Sequence, residues 1–290
     1  MAIRDREIAA LERRRLLRHY LGQAFLWTFI GLGLAFMVMP GVWMLLASFK
    51  TRAEIQAIPF KLFPAKFRWD NYVTAIEWMD FWVALKNSVL YTGSVTVLNI
   101  LTCTWGGYTF CKLRWPGRDF LLLAILSTMM IPGFLTIIPH YVLTSWMGML
   151  NSYWGMVLPG FTGAFGIFLT RQFMLGIPDE LIDASTVDGC NALTTFFRIV
   201  LPLCKPIVSV LGIFVFNWSW DSLIWPLMIL TDKKKWPLPV AIANLRLRAG
   251  GDLYELQMAG STLAVIPVLI IFVWLQKNIV QGVALSGLKG

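Results

Sequence analysis

Charge is what this sequence has least of. Asp, Glu, Lys and Arg make up 14% of its 290 residues, while hydrophobic types make up 57%. A soluble domain carries about 25% charged residues. A water-facing surface needs that polarity, so the deficit excludes an ordinary soluble fold and calls for a surface against hydrocarbon. Histidine is nearly missing, with only His19 and His140 present. Neither these nor Cys103, Cys111, Cys190 and Cys204 have metal-ligand spacing, and the cysteines read as reduced packing residues. No G-x-x-x-x-G-K-S/T phosphate loop and no G-x-S-x-G nucleophile turn occurs. Any ATP is therefore expected to be handled by a partner, and an intramembrane metal or serine enzyme is disfavoured. His140, following Pro139 near the end of an apolar run, reads as a packing residue.

What is present is long apolar runs. A run of roughly twenty residues crosses about 30 Å of hydrocarbon at 1.5 Å per residue. Six such runs are predicted to span a membrane: Phe25–Ser48, Leu85–Phe110, Phe120–Leu143, Tyr153–Met174, Ile207–Leu230 and Met258–Leu275. Fourteen Trp suit the boundary between headgroups and tails. The first run follows about twenty polar residues and exceeds a signal-peptide core, so it is expected to be retained. Pro40, Pro132, Pro139, Pro159, Pro202, Pro206, Pro226 and Pro267 fall in or beside spans, and each frees a carbonyl that needs another partner. That pattern suits a conduit better than an anchor. The fold class is an all-α membrane protein of about six transmembrane helices.

Six spans place both termini on one side. The net charge is +9, and with the N-terminus inside, inner segments hold fourteen basic residues and outer segments eleven. The short connection Thr144–Ser152 has no charge, as an outer hairpin should. Cytoplasmic termini follow. Arg4, Arg6, Arg13, Arg14, Arg15 and Arg18 precede the first span, interleaved with Ile8, Leu11, Leu16 and Leu17. They fit either a basic helix on an anionic leaflet or a frayed basic tail. Because this segment feeds directly into a span, nucleic acid is not its partner. The organisation is a basic segment at 1–23, a membrane domain at 24–281 and a tail at 282–290.

The segment between spans four and five, 176–206, is the most informative. Pro178 suits the first turn of a helix, Asp179, Glu180 and Asp183 suit its positive end, and Gly189 suits its stop. The predicted helix has roughly ten residues, too short and polar to cross a bilayer. Asp179, Glu180, Asp183 and Asp188 are four of sixteen acids, placed on the cytoplasmic side. An anionic leaflet repels them. Ala184 and Ser185 are small enough to admit a partner close to the backbone. A plug for a groove on another protein fits this pattern, and so does a solvated loop helix.

The same segment resembles the signature loop of permease subunits in binding-protein-dependent ABC importers. The correspondence runs through Glu180, Asp183-Ala184-Ser185, Asp188-Gly189 and Ile199-Val200-Leu201-Pro202, with Asp183 and Ser185 departing from the usual Glu and Ala. Ser48-Phe49-Lys50-Thr51, Asn71-Tyr72, Leu150-Asn151-Ser152-Tyr153-Trp154-Gly155, Leu238-Pro239-Val240 and Gly287-Leu288-Lys289-Gly290 resemble the carbohydrate branch, in particular the shorter permease of maltose-type importers. The resemblance implies a type I permease fold in the bacterial inner membrane. It implies a second permease subunit, two ATPase subunits that handle ATP and Mg, an external solute-binding protein and a carbohydrate-type substrate. No cofactor is expected on this chain.

By the same resemblance Glu180, Asp183, Ala184, Ser185, Asp188 and Gly189 would form a coupling helix seated in an ATPase cleft. Ser286, Gly287, Leu288, Lys289 and Gly290 would be a tail reaching the ATPase, although a frayed end is the competing reading. Asn217, Trp218, Trp220, Asp221 and Ser222 are candidates for the translocation path, since an intramembrane acid needs a wet cavity or a partner. Lipid-facing or interhelix packing competes for each Trp. The loop Thr231–Glu255 would face the external binding protein or be solvated. A self-sufficient secondary transporter is the alternative, but six spans without a repeat, and only Asp221 and Glu255 as acids in or near spans five and six, supply little for ion coupling.

Overall fold

The computed structural model describes the backbone of residues 2–248 and 253–287 and the side chains of residues 18–245 and 253–273. Among the described residues every regular element is helical. Helix α1, Ala2–Ala47, carries the first span, runs unbroken through position 23 and leaves its apolar side chains open, with Phe25 75% and Phe36 80% exposed. Such exposure is stable only where lipid or another membrane helix covers it.

Beyond α1 the sequence motifs meet in space. Thr51 and Glu54 form a capping box that starts the single turn α2, Arg52–Ile55. Asn71, in α3 (Asp70–Trp78), donates its side-chain amide to the carbonyls of Ser48 at 2.8 Å and Lys50 at 2.9 Å. Tyr72 and Ser48 share a hydroxyl hydrogen bond of 2.6 Å. These bonds explain why the Ser48–Thr51 and Asn71-Tyr72 motifs go together: they weld the outer end of α1 to the next element.

Helix α4, Phe81–Lys112, is the central post. It is less apolar than a lipid-facing span because Asn87, Ser88, Thr92, Asn99 and Thr104 are buried among its neighbours. Its partner α8, Ala164–Met174, approaches closely through glycines, the usual solution where helices meet in lipid. A Cβ on Gly107 would lie 2.3 Å from the Thr170 hydroxyl and 2.9 Å from the Arg171 nitrogen. One on Gly166 would lie 2.6 Å from the Cys103 sulfur.

Two predicted spans are bent, and the fifth, Ile207–Leu230, is broken inside and follows a sharp turn. The third consists of α5, Arg118–Ser127, and α6, Gly133–Trp146, turned by 107° at the Ile131-Pro132 break. The fourth pairs α7, Tyr153–Val157, with α8 across a 45° bend beside Pro159. Pro159 has no N–H for the Gly155 carbonyl, and the Trp225 indole N–H donates to that oxygen instead at 3.2 Å. The fifth begins after a short helix α9, Asp179–Val187, and a run comprising α10 (Ala192–Thr195), a π-turn at Phe196–Val200 and α11 (Leu201–Leu203). That run meets α12, Lys205–Trp220, at 82°. The chain breaks again at 221–223 before α13, Ile224–Ile229.

The stretch Thr231–Glu255, expected as an outer loop, is instead largely helical among its described residues. It contains α14, Leu238–Arg248, whose Leu238, Val240, Ala241 and Leu245 are buried in the core near Met79, Phe81 and Trp220. Helix α15, Tyr254–Gly287, carries the sixth span. Among the described residues two single helices are long and apolar enough to cross a membrane, three bent pairs are so if each is taken as one span, and α4, with 32 residues, has the length for a sixth.

Candidate coupling helix and membrane path

Helix α9 forms where the local signals place it. Pro178, with φ −58° and ψ 136°, is the capping residue rather than the first helical one, and Asp179 and Glu180 occupy the first turn at the positive dipole end. The far end closes when the Cys190 N–H donates to the Ser185 carbonyl at 2.9 Å and the Gly189 N–H to Thr186 at 3.0 Å. Gly189 has φ +78°, so this paired closure requires its left-handed conformation. The Asn191 side chain then accepts from the Thr194 N–H at 2.8 Å and starts α10.

Two attachments hold α9 against the membrane domain. The Lys112 amine, at the last residue of α4, donates to the Ile177 carbonyl at 2.6 Å and to the Asp179 carboxylate at 2.5 Å. This hydrogen bond, and then the charge of Lys112, holds the Asp179 carboxyl below its ordinary pKa. On the opposite side the Ser185 hydroxyl donates to the Ile182 carbonyl at 2.7 Å and shares a 2.9 Å bond with Thr195 of α10. Beneath lies an aromatic floor: Phe196, 1% exposed, stands edge-on to Trp105 at 5.0 Å and against Tyr108 at 5.5 Å.

The outward face is therefore defined. Glu180, Asp183, Ala184, Asp188 and Gly189 are exposed, whereas Ser185 is 2% exposed and bonds its own chain. The expectation that Ser185 offers a small outward surface does not match this geometry: a hydroxyl that finds Thr195 turns inward. Glu180, Asp183, Ala184 and Val187 follow i, i+3, i+4, i+7 spacing, so they share one face. Val187 is 88% exposed, and Leu181, Leu193 and Phe197 add 42%, 55% and 53% exposed apolar side chains nearby. Sequence reasoning nominated the acids and missed these apolar residues, although the spacing of Val187 from Ala184 and Glu180 carried the signal. It also missed Lys112, whose partner is 67 residues away.

The candidates for the path are divided by the structure. Asn217, Trp218 and Asp221 are exposed around the break after α12, with Trp218 at 61%, and Ser222 is half-buried. Trp220 is 4% exposed, stacks on Phe216 and donates its indole N–H to the Ala264 carbonyl at 3.2 Å. It is a packing residue between α12 and α15, as its apolar ring and single donor allow. His140 sits edge-on to Trp225 at 6.3 Å. In the stretch Thr231–Glu255, the Lys235 amine donates to the Asn151 carbonyl at 2.6 Å, and the Asn87 amide donates to the carbonyls of Lys234 and Trp236. The tail residues Leu288, Lys289 and Gly290 lie outside the described residues, and for Ser286 and Gly287 only the helical backbone at the end of α15 is described.

Residues 103–285 match the family described as binding-protein-dependent transport system inner membrane component. The arabinooligosaccharides transport system permease protein AraQ of Halalkalibacterium halodurans is 31% identical over 256 residues, covering 87% of this chain and 91% of the relative. The diacetylchitobiose uptake system permease protein DasC of Streptomyces coelicolor is 30% identical over 269 residues, covering 90% and 94%. A chain in the crystal structure of a bacterial ABC transporter involved in import of the acidic polysaccharide alginate superposes with a TM-score of 0.75 at 22% identity, covering 86% of this chain and 93% of that one.

Proposed function

From the premise that this chain belongs to the family of binding-protein-dependent transport system inner membrane components, a multi-pass permease subunit of an ABC importer, we propose a division of labour. The chain forms half of a translocation path for a carbohydrate-type solute and burns no fuel itself. A second permease supplies the other half, an external binding protein delivers the solute, and two ATPase subunits bind ATP and Mg. The relatives named for arabinooligosaccharides and diacetylchitobiose support the solute class.

The observation that carries the coupling role is the outward face of α9. Glu180, Asp183, Ala184, Val187, Asp188 and Gly189 are all exposed on a short helix whose other side is tied to α4 and α10. An exposed apolar residue flanked by acids suits a protein cleft with a greasy floor and a basic rim. In this reading Val187 and Ala184 enter the cleft, and the acids meet cations at its edge. Ser185 and Lys112 do not touch the partner. They tie the helix to α10 and to α4, so that a push on α9 reaches the post of the membrane domain. Asn217, Trp218, Asp221 and Ser222 line the path at the break after α12, and the tail Ser286–Gly290 approaches the ATPase.

Affinity purification from gently solubilised membranes tests the assembly. Recovery with an ATPase and a second permease is expected, and recovery as an active homomer contradicts it.

A further inference from the structure

The connection between α2 and α3 is unlike a solvated loop. Residues 58–69 read I-P-F-K-L-F-P-A-K-F-R-W, with three basic residues and no acid. Ile58, Phe60, Phe63, Phe67 and Trp69 are 97%, 61%, 70%, 57% and 66% exposed. Single exposed apolar side chains are ordinary, but five in twelve residues form a patch that something must cover.

Three attachments set the height of this segment. The Phe60 ring lies 4.7 Å from Trp43, about one turn before the end of α1 at Ala47. The buried Lys50 amine stands 4.2 Å over the Trp43 ring and donates to the Lys61 carbonyl at 2.5 Å. The Arg68 N–H donates to the Phe49 carbonyl at 3.2 Å, and the Phe49 ring is 4.8 Å from Trp69. Phe60 thus lies level with the last turn of a membrane-spanning helix, and Phe67 and Trp69 lie just beyond it. That is the depth at which aromatic side chains settle between hydrocarbon and headgroups.

Charge selects the occupant. Among the described residues Lys61, Lys66 and Arg68 form no ion pair. A protein partner covering the rings would have to supply an acid to each of three cations spread over residues 61–68, and the cores of protein interfaces are depleted in lysine. A leaflet of anionic lipid accommodates both features, because long basic side chains snorkel to phosphates while their neighbours stay at the boundary. We propose that residues 58–69 are an outer-leaflet anchor that binds anionic phospholipid headgroups through Lys61, Lys66 and Arg68, with Phe60, Phe63 and Trp69 seated at the boundary. The anchor steadies the outer end of α1 through Lys50 and Trp43, independently of the coupling role of α9.

The test uses the complete importer, with its partner subunits, in nanodiscs of phosphatidylcholine with or without phosphatidylglycerol. Phe63→Cys carries an environment-sensitive fluorophore, with Cys111 and Cys190 replaced by serine. Lipid spin-labelled near the headgroup is expected to quench the fluorophore at least twofold, while aqueous iodide has little effect. The triple variant Lys61→Glu/Lys66→Glu/Arg68→Glu is expected to lose at least half of the phosphatidylglycerol that mass spectrometry finds retained by the wild-type complex. Quenching by iodide alone marks a solvated loop, and shielding from both quenchers marks a protein contact. Either result overturns the proposal, as does unchanged phosphatidylglycerol retention in the triple variant.

Discussion

Lys112 and Asp179 are 67 residues apart in the chain, yet their side chains meet at 2.5 Å. The contact joins the inner end of the central helix α4 to the first turn of α9, and the same amine holds the Ile177 carbonyl at 2.6 Å. Lys112→Ala removes both bonds while leaving the outward face of α9 intact. Uptake is expected to fall about two- to fivefold, because the Asp179 carboxylate is largely exposed and its pairing is screened by solvent. ATPase co-purification is expected to persist. The exchange Lys112→Asp/Asp179→Lys should recover part of the uptake, which a purely structural loss of Lys112 would not allow.

The pH dependence of that pair has a definite sign. Lys112 lowers the folded-state pKa of Asp179 by hydrogen bonding and by charge. The contribution is complete above the ordinary aspartate value of about 4 and is lost only as pH falls through the lowered value. Coupling, measured as solute transported per ATP, is therefore expected to stay flat from about pH 5.5 to 8 as far as this pair is concerned. A midpoint in that range that disappears in Asp179→Asn would contradict the assignment.

Gly189 separates backbone strain from contact. It has φ +78° and nothing within 4 Å of an added Cβ, so a side chain there meets open space but forces an unfavourable backbone. A left-handed β-branched residue is costly, about 1–2 kcal/mol, whereas asparagine tolerates the conformation. Gly189→Val is expected to uncouple uptake from ATP hydrolysis while the protein still reaches the membrane, and Gly189→Asn to retain most transport. Equal loss in both variants would point to contact with the partner instead.

Phe196 is the floor under α9, and Gly107 is a point where α4 packs against α8 with no room for a side chain. Phe196→Ala is expected to cost about 3–5 kcal/mol, as large buried aromatic truncations do, and to lower the thermal midpoint of the purified complex. Gly107→Val has less room to relax, because its Cβ would meet the Arg171 backbone nitrogen at 2.9 Å. Immunoblots of membranes should show that variant failing to accumulate.

The parts legible in the sequence are those encoded by neighbours in sequence. Pro178, the acids after it and Gly189 define α9 because caps and dipoles act within one or two turns. The six spans are legible because crossing hydrocarbon demands length. Pro132 and Pro159 announced disturbed helices, but the 107° and 45° bends depend on what packs around them. Helix α14 was hidden because Lys233–Lys235 and the arginines at 246 and 248 make its surroundings look water-facing. Its burial comes from Met79 and Phe81, over 150 residues earlier. Ser185 reads as outward until Thr195 is placed 2.9 Å from it. Trp220 reads as part of a path until the Ala264 carbonyl claims its donor.

The central claim is that the outward face of α9 sits in a cleft of the ATPase. Cysteine cross-linking from Ala184→Cys and Val187→Cys to single cysteines along that cleft, with Cys190 replaced by serine, tests it most directly. The account predicts a specific adduct from both positions whose yield changes when ATP closes the ATPase pair. An intact, co-purifying complex that yields no adduct from either position would contradict it.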